Sequence, residues 1–113
     1  MLFRSADEVP IHAVQVVNDP ALRALIDALD GLVTARRKVH LTYRNEAGAD
    51  SQRDVRPLGL TFWGRTWTLI AWCELRQDFR MFRLDRIAGF EPGEVFRAER
   101  SKSLSAAFAA IQH

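Results

Sequence analysis

The chain has a single cysteine, Cys73, which excludes an internal disulfide framework and favours a reducing compartment, so a cytoplasmic location is expected. No apolar run approaches the length of a membrane span, and the amino terminus lacks the basic-then-apolar order of a secretory signal. The three histidines, His12, His40 and His113, are too scattered to gather a zinc ion. No glycine-rich phosphate loop follows a strand-like run, and no nucleophile, base and orienting group cluster by motif. Neither a metal, nor a cofactor, nor catalysis is therefore expected. Internal repeats and low-complexity segments are also lacking.

What is present fits one domain. With 113 residues, 48% of them hydrophobic and 27% charged, the chain can bury a core without staples. The net charge of +2 conceals an asymmetry: residues 1–33 carry two basic and five acidic side chains, whereas residues 34–90 carry eleven basic and six acidic. All but one of those eleven are arginine. Arginine's flat fork suits oxyanions and stacks on rings, so the middle of the chain favours an anionic partner.

Periodicity divides the chain further. Residues 1–17 form a linker or amino-terminal extension in which Ala13 to Val17 could be a strand, and residues 18–113 form the domain proper. Asn18-Asp19-Pro20 reads as a helix start, with proline at the first helical position. Leu22, Leu25, Ile26, Leu29, Leu32 and Val33 follow at helical spacing up to about Arg36–Lys38. VHLTYRN then alternates, and NEAGAD is turn-rich. DVRPLGLTFW reads as a second strand, with Pro57 marking an edge or bend and Gly59 a bulge. Gly64-Arg65 reads as a tight turn. TWTLIAWCE is the strongest strand, and FRMFRLDRI returns after a turn at LRQD. Pro92-Gly93 reads as a break, and SKSLSAAFAAIQH as a closing helix with Leu104, Phe108 and Ile111 on one face. Helix, about five short strands and helix imply a small antiparallel barrel or strongly curled sheet. Both faces of TWTLIAWCE are largely apolar, so its outer face needs a cover, and the first helix is the expected one.

The run WCELRQDFRMFRLDRI, residues 72–87, threads Arg76, Arg80, Arg83 and Arg86 through core-like residues. Together with VHLTYRN, VRPLGL and TWTLIA, it resembles the WYL domain of bacterial helix-turn-helix transcriptional regulators. The similarity runs from about Ala21 to Phe96, and the closing LSAAFAAI helix also fits. The resemblance implies mainly β structure, an Sm-like or SH3-like antiparallel barrel with an amino-terminal and a carboxy-terminal helix. It further implies a ligand-sensing regulatory role, with single-stranded nucleic acid or a nucleotide-like anion as ligand. The signature Trp-Tyr-Leu stands here as Trp67-Thr68-Leu69, and Thr68 cannot stack on a base. The residues ahead of the first helix are too few for a three-helix DNA-binding module, so the helix-turn-helix domain is expected to be absent from this chain.

On these grounds Arg76, Arg80 and Arg83 are expected to face the ligand, with Thr68 at the signature position and Trp63 as the most exposed stacking ring. Arg80 and Arg83 fall on opposite faces of a regular strand, so they reach one anion only if a bulge, a twist or the turn intervenes. Arg86, Asp85 and Trp67 are assigned to structure, as are Trp72 and a Tyr43 with a tethered hydroxyl. Two functional classes remain: a sensor of an anionic ligand, or an interaction module in which the same surfaces support a homodimer.

Overall fold

The computed structural model describes residues 19–63 and 65–111. The expected linker at residues 1–17, with its strand-like stretch, lies outside them, as does Gly64 of the tight turn. Helix α1 (Pro20–Ala35) starts as its sequence requires, with the Asp19 carboxylate accepting from the Ala21 and Leu22 amides at 3.0 and 3.3 Å. Arg36 ends it in the left-handed region at φ 55°, donating its amide to the Leu32 and Val33 carbonyls. Five strands follow: β1 (Arg37–Arg44), β2 (Asp50–Trp63), β3 (Thr66–Cys73), β4 (Asp78–Arg83) and β5 (Ile87–Val95). A short 3-10 turn over Leu84–Arg86 joins β4 to β5, and a second over Arg100–Lys102 precedes helix α2 (Leu104–Ile111).

The strands form one antiparallel sheet in the order β4-β3-β2-β1-β5. Its two edges are consecutive in sequence, and this forces curvature. In a flat sheet the outer strands would stand about 19 Å apart, four inter-strand spacings. The 3-10 step from Arg83 to Ile87 covers only about 8 Å. The sheet therefore curls until its edges approach without hydrogen-bonding to each other, the open form of the expected small barrel. Tyr43 on β1 spans the gap: its ring meets Phe82 of β4 edge-on at 5.1 Å. Its hydroxyl accepts the Arg83 amide at 3.0 Å.

Irregularities in register assist the bend. Leu58 is the extra residue of a bulge between Pro57 and Gly59, where the missing proline amide breaks no regular ladder. β5 carries two further shifts against β1, at Ala88 and beyond Pro92. Pro92-Gly93 is thus not the break its sequence implies. β5 is an edge strand, so a proline costs no hydrogen bond on its free side.

The concave face and α1 share the core, in which Leu29, Val39, Leu41, Val55, Leu69, Phe82 and Leu84 are buried. Leu22, Leu25, Ile26 and Leu32 pack against it as the helical stripe requires, whereas Val33 lines a groove with Pro57, Leu58 and Leu104. The cover on the outer face of β3 is α2, not α1. Gly59 pairs with Ile70, and a side chain at Gly59 would meet Leu104 at 3.0 Å, so that glycine lets α2 approach the sheet. In α2 the residue turned inward is Ala107, and Phe108 is 37% exposed, because a small side chain allows the closer approach.

Candidate functional site

The four arginines of residues 72–87 go to four places. β4 pairs with β3 without a register break, setting Arg83 opposite Thr68, Arg80 opposite Ala71 and Asp78 opposite Cys73. Directly opposed residues share a face, so Arg83 lies on the outer face and Arg80 on the concave one. There the Arg80 guanidinium sits 5.7 Å from the centre of the Phe82 ring. Arg76 is exposed in the β3–β4 turn, at the far end of β4 from Arg83. The five residue steps of that strand put about 17 Å between its ends. No bulge or twist brings Arg76, Arg80 and Arg83 onto one anion.

Arg83 itself is engaged by a neighbouring carboxylate. Its Nε and one terminal nitrogen donate to the two oxygens of Asp85 at 3.1 and 2.7 Å, a two-pronged contact with the guanidinium plane. That hydrogen bonding raises the pKa of Arg83 above its already high value. Asp85 therefore pairs with Arg83 and not with its neighbour Arg86. Arg86 has no ion-pair or hydrogen-bond partner among the described residues. It lines a cleft of about 460 Å³ between the β1–β2 hairpin and the β4–β5 turn, with Arg44, Asn45, Glu46, Asp85 and Ile87. Arg44 is already held by Asp50 across the hairpin at 2.9 Å. The sequence assigns Arg86 to structure; among the described residues no carboxylate holds it.

Thr68 is only 3% exposed, and its hydroxyl faces the Thr66 carbonyl at 3.5 Å. At the signature position the chain presents packing, not a contact surface. Trp63 is 50% exposed on the same outer face as Arg83, two strands away by register. Trp67 packs edge-on against Phe62 and joins the core. Trp72 packs against Phe79, with the Lys102 ammonium over its ring at 5.0 Å. Both indole N–H groups are buried without an acceptor among the described residues.

A second arginine centre escaped the sequence reading. Arg56 on β2 donates to Glu74 at 2.8 Å and to Glu99, and stands over the Phe96 ring at 5.5 Å. Lys38 joins at Glu74 and Lys102 at Glu99. Burial alone would raise the Glu74 carboxyl, but its bonds to Arg56 and Lys38 outweigh this and hold it below the ordinary glutamate value. Hydrogen bonding to Arg56 likewise lowers Glu99. The partners lie 18 and 43 residues away, so nothing local to Arg56 announces them. Further along the outer face, His40 meets Asp54 at 2.6 Å, which raises its pKa. Among the described residues no histidine, cysteine and carboxylate group could hold a metal ion, and no helix is long and apolar enough to cross a membrane.

Comparison with known proteins agrees with this architecture. The WYL domain family model matches residues 22–92. A solved structure of proteasome accessory factor B/C (PafBC) of Arthrobacter aurescens superimposes with a TM-score of 0.61 at 27% sequence identity. The match covers 80% of this chain and 13% of that one. No curated protein matches. With more than half its length matched by the family model, and a helix-flanked antiparallel sheet of the expected order, the chain belongs to the WYL domain family.

Proposed function

We propose that this domain is the ligand-sensing part of a bacterial transcriptional regulator and that it binds an anion, single-stranded nucleic acid or a nucleotide-like molecule, without catalysing a reaction. The observation that carries the proposal is the Arg83 guanidinium, which stands on the outer face at a sheet edge and already grips a carboxylate with two bonds. A phosphate presents the same pair of acceptor oxygens. Arg86 adds an unpaired positive charge in the adjoining cleft. Trp63, half exposed on the same face, offers a ring on which a base can stack. Membership of the WYL family, and the likeness to part of PafBC, support the regulatory role. The promoter-reading helix-turn-helix domain belongs, on this proposal, to other parts of the regulator.

The alternative, a module devoted to protein contact or homodimerisation, would use the same arginine surface or the apolar outer face of β3; α2 lies over the latter, which favours the ligand-binding reading. The test is a thermal-shift screen of the purified chain against short single-stranded oligonucleotides and cyclic nucleotides at two salt concentrations. A ligand of the native state raises the melting temperature by mass action. An oligonucleotide is expected to do so weakly and less at higher salt, because few phosphates are neutralised. No shift with any anion would reject the proposal.

A further inference from the structure

Resting on that proposed function, we infer that Asp85 is a tethered competitor for the ligand: its carboxylate occupies the Arg83 fork in the empty domain and must leave when an oxyanion binds. Three observations carry this. Asp85 holds Arg83 through the same two nitrogens that a phosphate would use, at 3.1 and 2.7 Å. The pair is solvent-accessible, with side-chain exposures of 41% and 54%, so opening it costs little. Asp85 also lines the cleft beside Arg86, which has no partner among the described residues. A carboxylate released from Arg83, already half exposed, returns to water and leaves Arg86 to the ligand. Ligand entry becomes an exchange of partners instead of the desolvation of a bare cation. The aspartate is not needed to hold its own backbone, since the Leu84–Arg86 turn has no side-chain cap.

Such a competitor sets a threshold. An oxyanion gains Arg83 only by outbidding a carboxylate held two residues away, and Asp85 also repels any anion already seated at Arg86. Ligands with two or more phosphates are favoured over single small anions, because they can engage both arginines at once. Removing the negative charge should raise affinity without new contacts.

The test uses the full chain and a fluorescein-labelled single-stranded oligothymidylate, read by anisotropy over a salt series. Asp85→Asn is expected to bind about three- to tenfold more tightly than the parent, the scale of one exposed ion pair plus one relieved repulsion. Its logarithmic salt slope should match the parent's, because Arg83 engages one phosphate in both complexes. A merely structural aspartate would leave affinity unchanged or lower it. Asp85→Glu, which keeps the charge, should return affinity to the parent range. Equal or weaker binding by Asp85→Asn, with Arg83→Ala abolishing binding, overturns the competitor while the proposed function stands. Binding that ignores Arg83→Ala overturns the proposed site itself. If Asp85→Asn binds no oligonucleotide at all, the competitor is rejected, since freeing the fork should expose the site.

Discussion

Arg56 and Arg83 are both strand arginines with carboxylate partners, yet they do opposite things. The Arg56 side chain is 14% exposed and gathers Glu74, Glu99 and Phe96 from two separate parts of the chain. It clamps β2, the β3–β4 turn and the segment leading to α2. Arg83 is 41% exposed and its one carboxylate comes from two residues further along. That pair closes no loop and joins no elements. An arginine satisfied from afar organises the fold, whereas one satisfied locally at an edge is available for exchange.

The comparison can be broken at several levels. A core truncation sets its ceiling: Leu29→Ala, in the fully buried contact between α1 and the sheet, should cost about 2–5 kcal/mol. Chemical denaturation measures it, and an unchanged midpoint would mean that α1 is not docked. Arg56→Ala should follow at about 2 kcal/mol, because the partly buried Glu74 loses a charged partner and Phe96 its guanidinium. If Arg56→Ala proves as silent as a surface change, the clamp is not one.

Acid sharpens the same contrast. Glu74 and Glu99 are held below the ordinary glutamate value, so they release protons more readily in the folded chain than in the unfolded one. Their stabilisation is fully present above the unfolded value of about 4.3 and is lost as pH falls through their lower folded values. The parent should therefore lose stability over that acid window more steeply than Arg56→Ala does, as melting temperatures from pH 6 downwards would record. Smallest of all, Arg83→Ala and Arg86→Ala should each leave the melting temperature close to the parent's. A larger loss in either would move that residue to the structural side.

Much of this fold was legible in the chain. The leucine stripe of α1, the Asp19-Pro20 start, the alternation of β1 and the Pro57–Gly59 irregularity all act through neighbours, and local pattern records neighbours. What pattern could not record was which element meets which. Both faces of β3 read as buried, but only the docking of Leu104 over Gly59 assigns the outer cover to α2. Pro92 misled because a proline's cost depends on whether its strand is an edge, a property of topology. The site divided in the same way. Opposite faces for Arg80 and Arg83 followed from strand geometry, and the structure keeps them apart. The pairing of Asp85 with Arg83 depended on the conformation of the short turn between β4 and β5, which local pattern does not record. The Arg56 clamp depended on partners that only the complete fold delivers.

On the proposed function, charge at the β4 edge serves binding while charge at Arg56 serves the fold. Anisotropy titration of a labelled single-stranded oligonucleotide against the parent, Arg83→Ala and Arg56→Ala, with melting temperatures taken on the same samples, tests it most directly. The account predicts that Arg83→Ala keeps its melting temperature and loses binding, whereas Arg56→Ala melts earlier but, while folded, binds like the parent. Undiminished binding by a folded Arg83→Ala, or its unfolding, would contradict it.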